Sequence, residues 1–433
     1  MLVFTLALAI RLAWVATLPA TLVWQDEQEF VAIARHLAAG DGYVSDSYRA
    51  NPVLPYYLAT VFRLAGESVA AARIGQAFAG ALTCVLIAAT ATRIFDARVG
   101  LASGLLLALY LPHVYLSGVF YVECLFTLFI ALTVWCAVRS LDDGRGLGWL
   151  VATGVSAALA TLTRPIFLVT LPFLAAVLAW AAPASTTRRV AVVAAVLASV
   201  AVVVAPWTIR NHRVFGRFMI VSTGFGTTLW QGNNEGAAGD ADDRGLSFHQ
   251  ESWKARVAAL PDPERAEVEA RYGIAEAQIA ALRASGADAV SASDTVLGPL
   301  AAEFIMTHPD RALRLFVRKL GTFILPFSKT LDTNADTTAA KRIAAVAAYL
   351  PVLLLAIVGA WWSAGRTRGL AIIWAIVLPL TVTYGCMTTC TRFRLPLDPY
   401  LVIFAAAALV EVGERVFPKL RAAPVLSSAD SAR

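Results

Sequence analysis

The sequence predicts an all-α membrane protein that crosses the bilayer about ten times. Only 15% of the 433 residues are charged and 58% are apolar, against roughly 25% charged in a soluble domain. Mean hydropathy is +0.66. The apolar runs are continuous over about 20 residues, the length a helix needs to span hydrocarbon, whereas membrane barrel strands alternate over about 10. Lipid is therefore the solvent for much of the chain.

Ten spans follow in order, near 2–23, 72–94, 100–117, 119–138, 148–163, 165–182, 190–208, 343–362, 369–388 and 396–413. Pro and Gly interrupt several, which neighbouring helices can cover. The first run lacks a basic leader, carries Arg11 in its middle and shows no clear cleavage site, so it reads as a retained anchor. Short loops carrying Arg93, Arg98, Arg139, Arg145, Arg188, Arg189, Arg366 and Arg368 all fall on one side, with Arg415, Lys419 and Arg421 in the tail. That bias makes this side cytoplasmic.

The parity divides the chain into a membrane module, 1–208, with an external loop at 24–71; an external region, 209–342; membrane helices, 343–413; and a cytoplasmic tail, 414–433. In the external region, 235–247 reads as a flexible Gly/Asp loop and 250–286 as helical. Residues 309–327 read as an amphipathic helix on the membrane surface; as an eleventh span they would break the charge parity.

A net charge of +6 fits cytoplasmic-loop bias or attraction to anionic lipid headgroups. No basic cluster interleaves with aromatics, which argues against nucleic acid. Cys84, Cys124, Cys136, Cys386 and Cys390 show no zinc spacing and read mostly as packing residues, with a Cys386–Cys390 disulfide as a minor alternative. The five histidines form no metal motif.

Three acids carry the chemical argument. Asp26 and Glu27 follow the first span at the start of a short helix whose apolar face holds Phe30, Ile33, Ala34 and Leu37. An N-cap role accounts for them equally well. Glu123 lies at the junction of spans three and four, a depth where an ionisable group usually serves a cavity or pairs with a buried Arg. Arg164, Arg210, Arg213, Arg392 and Arg394 share that side, each also readable as an interfacial anchor. Arg suits phosphate oxygens by its bidentate geometry, and a carboxylate can take a proton from an attacking hydroxyl.

The ordered set resembles the GT-C glycosyltransferases, most closely the branch of protein O-mannosyltransferases and lipid A aminoarabinose transferases. The matching pieces are Asp26-Glu27, RANPVLPYYLATVFRLAG at 49–66, SGVFYVECLF around Glu123, Arg164-Pro165, PWTIRNHRVFGRFMIVSTGFGTTLWQGNN at 206–234 and RFRLPLDPYL at 392–401. The resemblance implies a GT-C-type bundle of about 10–11 membrane helices, two amphipathic helices in the first external loop and a small helical external insertion. It implies a polyprenyl-phosphate sugar donor and a lipid, glycan or protein acceptor. Asp26, Glu27 and Glu123 are then the catalytic candidates, with Asp26 as base. Arg164, Arg210, Arg392 and Arg394 are the phosphate candidates, and Arg49, Tyr56, Tyr121 and Asn233 the pocket candidates.

The expected activity is hexosyl or pentosyl transfer at the outer face of a bacterial cytoplasmic membrane, by single-step inversion. No cofactor is required; a divalent ion, Mg or Mn, held by the carboxylates is an option without a dedicated cage. The rival readings are a secondary transporter or flippase-like protein, a scaffold, and an oligosaccharide ligase or polymerase of the same architecture. Transporters often show inverted repeats, and no internal repeat is visible.

Overall fold

The computed structural model describes residues 1–43, 51–142, 146–182, 185–216, 218–243, 245–326, 339–364 and 367–416. Arg49, Arg145, Arg366, Lys419, Arg421 and the tail from 417 onward lie outside the described residues. Among the described residues every regular element is helical. The chain is an all-α polytopic membrane protein.

Ten helices correspond to the ten predicted spans: α1 (Leu2–Ala16), α4 (Val69–Ile94), α5 (Ala97–Leu109), α7 (Val122–Arg139), α8 (Gly146–Thr163), α9 (Leu171–Ala181), α10 (Thr186–Phe215), α16 (Ala339–Trp362), α17 (Thr367–Cys386) and α19 (Asp398–Val416). Seven stretches, on α4, α7, α8, α10, α16, α17 and Thr391–Val416, are long and apolar enough to cross a membrane; α1, α5 and Pro165–Ala181 are apolar but shorter. α4 packs against α1, α5 and α7; α8 lies between α7 and α10; α19 joins α5 to α16. At Gly359 of α16 an added Cβ would collide with the Phe404 carbonyl of α19, so these two helices meet backbone to backbone.

Proline lies close to each break in the shortened spans. Proline disfavours helical geometry in the residue before it, offers no N–H, and its ring crowds the carbonyl four residues back. α1 stops at Ala16, ahead of Pro19, rather than running to 23. α5 stops at Leu109, and Tyr110 is extended (ψ 103°) before the one-turn α6 (Leu111–Leu116) with Pro112 near its start. Pro112 cannot bond the Ala108 carbonyl. The fully buried Arg11 of α1 makes good the loss, donating to Ala108 O (3.4 Å), Leu107 O (3.5 Å) and Ala7 O (3.1 Å). Arg73 of α4 likewise supports the bend after α1, donating to Pro19 O (2.5 Å) and Thr21 O (3.5 Å). Beyond Arg164 the chain makes a 3-10 turn, Pro165–Thr170, before α9.

The two ends of the bundle differ chemically. At one, Arg93 and Arg139 pair with Asp142, Arg98 pairs with Glu414 (2.9 Å), and Arg368 lines a 280 Å³ hollow beside Arg93 and Asp142. These arginines are ones that the charge parity puts on a common side.

At the other end lie the loop helices. α2 (Gln25–Ala39) and α3 (Val53–Ala65) pack together as the expected pair, burying Ile33, Ala34 and Leu37 against Leu54, Leu58 and Phe62, with Phe30 partly covered. The insertion comprises α11 (Phe225–Gly232), α12 (Glu251–Ala258), α13 (Asp262–Ala284), α14 (Ala289–Thr307) and α15 (Pro309–Ile324), and Pro261 splits the predicted 250–286 helix. Trp230, Trp253, Val268, Tyr272 and Leu297 form its core. Within the 235–247 stretch, residues 238–243 form a braced turn. Buried Asp243 accepts from Ala238 N (2.9 Å) and Gly239 N (2.6 Å) and pairs with Arg256 (3.0 Å).

α15 docks on α17 through Phe316, Lys319, Leu320 and Phe323, and Leu315 lies against Gly239, while Leu313 and Val317 stay exposed. The fully buried Lys319 ammonium donates to Gly232 O (3.0 Å), Asn233 Oδ1 (3.1 Å) and Cys386 O (3.2 Å), and burial pushes its pKa down to about 8.

Two stability predictions follow from these buried cations. Arg11→Leu leaves the Ala108 carbonyl unmatched, since the Leu107 carbonyl keeps the Tyr110 N–H (3.3 Å), and such a buried group costs about 1–3 kcal/mol; the purified variant should melt several degrees below wild type. For Lys319, an unfolded pKa near 10.4 means the unfolded chain binds more protons between about pH 8 and 10.4, so stability rises with pH there by at most ~1.4 kcal/mol per unit. Below pH 8 the full cost of the buried charge remains. Melting curves from pH 7 to 10 should show wild type gaining on Lys319→Met; parallel curves would refute the assignment.

Candidate active site

Asp26 and Glu27 occupy the first turn of α2, with Trp24 as N-cap. Successive helix positions diverge by about 100°, so neighbouring carboxylates meet different partners. Glu27 turns inward and is 1% exposed. Its Oε2 accepts from Val23 N and Trp24 N (3.1 Å each), and its Oε1 from Phe120 N (2.9 Å). Both oxygens are thus committed to backbone donors of the helix start and the neighbouring turn, the work of a capping carboxylate. Glu27 is a structural cap rather than a catalytic acid.

Asp26 faces the other way, with its side chain 45% exposed. Its Oδ2 accepts from Arg392 Nη1 at 2.8 Å. Arg392 lies in α18 (Thr391–Arg394), the turn leading into α19, and its Nε is 3.2 Å from Glu123 Oε1. Glu123, in the first turn of α7, is buried, and the same Oε1 accepts from Arg164 Nη1 at 2.8 Å. The result is a chain of alternating charge, Asp26–Arg392–Glu123–Arg164, drawn from four remote segments at one end of the bundle.

Aromatic faces hold both guanidiniums in place. Arg392 lies 4.2 Å from the Tyr121 ring centre and Arg164 4.2 Å from that of Phe393. Phe393 stacks on Tyr384, which stacks on Phe323. Such contacts contribute about 0.5–2 kcal/mol each and fix the plane of the cation.

Arg394, two residues from Arg392, has a different fate. It is 3% exposed and sits over the Tyr349 ring at 3.5 Å. Its Nε pairs with buried Asp398 (2.9 Å), and its Nη1 donates to the carbonyls of Phe323 (3.2 Å), Ile324 (3.0 Å) and Leu325 (2.6 Å) at the end of α15. Asp398 also accepts from Tyr110 (2.7 Å). Arg394 is a tether between α15 and α19, not a phosphate ligand.

Asn233 is also spent internally, donating to Leu229 O (2.8 Å) and Cys386 O (2.7 Å) and accepting from Lys319. It is a brace rather than a pocket residue. Arg210 and Tyr56 belong to a second cluster. Arg210 donates to Tyr43 O (3.0 Å) and packs on the rings of Tyr43 and Trp207, with half-exposed Tyr56 beside them. Arg210 there anchors the chain leaving α2. Burial against this cluster pushes the Tyr43 phenol pKa well above its ordinary value.

The sequence reading passed over Tyr384, Phe393 and Arg73. Only Phe393 carried a signal, as the aromatic between two arginines in RFR. Among the described residues no three His, Cys, Asp or Glu side chains converge, and all five cysteines are free thiols.

Residues 49–209 match the family model described as dolichyl-phosphate-mannose-protein mannosyltransferase. No curated protein matches the chain by sequence. The fold resembles that of the archaeal oligosaccharyltransferase AglB from Archaeoglobus fulgidus, in complex with an inhibitory peptide and a dolichol-phosphate. The TM-score is 0.56 at 15% identity, covering 100% of this chain and 52% of that one. The apo form of the A. fulgidus oligosaccharyltransferase gives 0.55 at 13% identity, over 97% and 51%. ArnT from Cupriavidus metallidurans bound to undecaprenyl phosphate is a looser likeness, 0.47 at 15% identity over 98% and 80%. The chain spans about half the length of the oligosaccharyltransferase structures it matches. It is an all-α polytopic membrane protein whose fold resembles that of those oligosaccharyltransferase structures and whose residues 49–209 match the dolichyl-phosphate-mannose-protein mannosyltransferase model.

Proposed function

We propose that this chain is a membrane glycosyltransferase that moves one sugar from a polyprenyl-phosphate donor to an acceptor hydroxyl on a lipid, glycan or protein. The observation that carries this reading is the exposed Asp26 carboxylate held 2.8 Å from Arg392, with Arg164 next along the same charge chain. A proton acceptor and two phosphate-type cations thus stand side by side at one end of the bundle, the end opposite the arginine-rich loops. The charge bias of the short loops supports an extracytoplasmic position for that end, and the proposed setting is a bacterial cytoplasmic membrane.

In the reaction Asp26 takes the proton of the acceptor hydroxyl as its oxygen attacks the anomeric carbon. The bond from that carbon to the phosphate oxygen breaks, and its electron pair leaves with the carrier phosphate. Arg392 and Arg164 receive that charge without reorganising, because aromatic faces already fix their planes. One displacement inverts the anomeric centre. The transporter reading is weakened by the fate of the other membrane-embedded charges: Arg11 caps α5, and Arg394 and Asp398 pair with each other.

Asp26→Asn should lower the turnover of purified protein about 10²–10⁴-fold, the range for loss of a general base, and should fail to restore the envelope glycolipid missing from deletion cells by mass spectrometry. Near-wild-type turnover removes Asp26 from the base role. We further propose that Arg392 supplies the positive charge between Asp26 and Glu123, so that EDTA changes turnover by less than about twofold. A larger loss restored by Mg²⁺ or Mn²⁺ would instead put a Lewis acid at the carboxylates.

A further inference from the structure

Glu123 looks like a second base, yet its surroundings point elsewhere. Its side chain is 1% exposed, too enclosed for an incoming hydroxyl. Oε1 takes both cations, Arg164 Nη1 at 2.8 Å and Arg392 Nε at 3.2 Å, while Oε2 is buried and meets no donor among the described residues. The Arg392 contact is an ion pair rather than a hydrogen bond, since Nε finds no acceptor in line. Glu123 therefore acts by charge on two guanidiniums brought to one oxygen. Without it, Arg164 loses its carboxylate partner and Arg392 keeps only Asp26, so the two like charges repel and the pair of guanidiniums loses its common anchor.

The outer part of the arrangement is lopsided. Asp26 and Glu123 both hold Arg392, through Nη1 and Nε respectively. Arg164 has Glu123 and the Phe393 and Tyr384 rings. An arriving phosphate competes with Asp26 for the Nη1 edge of Arg392, while Glu123 keeps hold of the Nε edge from behind.

We infer that Glu123 is a positioning residue that sets Arg164 and Arg392 as a two-guanidinium clamp for the carrier phosphate, and that Asp26 competes with that phosphate for Arg392. This rests on the proposed lipid-phosphate donor. It has a consequence that a merely structural Glu123 lacks: the two acids oppose each other in binding. Loss of Glu123 disorganises the clamp and weakens phosphate binding, whereas loss of the Asp26 charge frees Arg392 and strengthens it.

The test measures binding of undecaprenyl phosphate, and of undecaprenol as the control lacking the phosphate, to the full chain in detergent by native mass spectrometry. Wild type should prefer the phosphate. Glu123→Gln should raise the Kd for undecaprenyl phosphate about tenfold and leave undecaprenol unchanged, while Asp26→Asn should lower it severalfold. Glu123→Asp keeps the charge and the fold but shortens the reach to two partners, so its Kd should rise severalfold. That variant carries the test if Glu123→Gln does not fold.

If wild type prefers the phosphate but both Glu123 variants bind it as wild type does, the clamp role is wrong and the function reading stands. Weaker binding by Asp26→Asn overturns the competition. A wild-type chain indifferent to the phosphate overturns the donor reading and this inference with it.

Discussion

Everything at the site depends on Arg392 being shared. A guanidinium at the lipid boundary needs compensating charge, and Arg392 draws it from the first external helix and from the start of α7 together. Because Glu123 also holds Arg164 where α8 gives way to α9, four segments separated by up to hundreds of residues are pinned at one point. Two acids and two arginines make the group neutral as a whole. Removing the buried Glu123 leaves both arginines short of counter-charge, and breaking a buried pair in this way costs about 3–5 kcal/mol, whereas the half-exposed Asp26 contributes less. The same interactions thus support the fold at its outer end and position the chemistry.

The other buried arginines serve the backbone. Arg11, Arg73 and Arg394 each donate to carbonyls left without partners where a helix stops or a linker bends. In a bilayer no water is available for those carbonyls, so the fold can break a helix only where a side chain replaces the missing donor. Proline makes the break and arginine makes it tolerable. This pairing lets a chain of short and interrupted helices place acids at one end instead of running straight through.

Much of this was readable in the residues, and the remainder was not for definite reasons. Continuous apolar runs gave ten spans because lipid imposes a length, and charge parity gathered Arg93, Arg98, Arg139 and Arg368 at one end. Where each span stops was less visible: Pro112 can be seen in the chain, but its partner Arg11 lies about a hundred residues earlier. The acids at 26 and 123 stood out because charge is costly at that depth. Glu27 could not be separated from Asp26, since adjacency says nothing of which side faces the bundle. Arg392 and Arg394 are likewise neighbours in one motif, and only packing reveals that one faces the acids while the other meets Asp398 and the end of α15. Tyr384 carried no mark at all, being one aromatic among many in an apolar helix.

The close approach of α16 and α19 bears on how a long hydrocarbon could reach Arg392. An isoprenoid chain needs a furrow whose walls are side chains able to part. Along this seam Gly359 brings main chain against the Phe404 carbonyl, and Arg394 clamps the Tyr349 ring. Small-residue contacts of this kind exclude lipid because nothing compressible lies between the helices. The tail of the proposed lipid-phosphate donor is therefore turned away from this flank of the bundle and would come in along another.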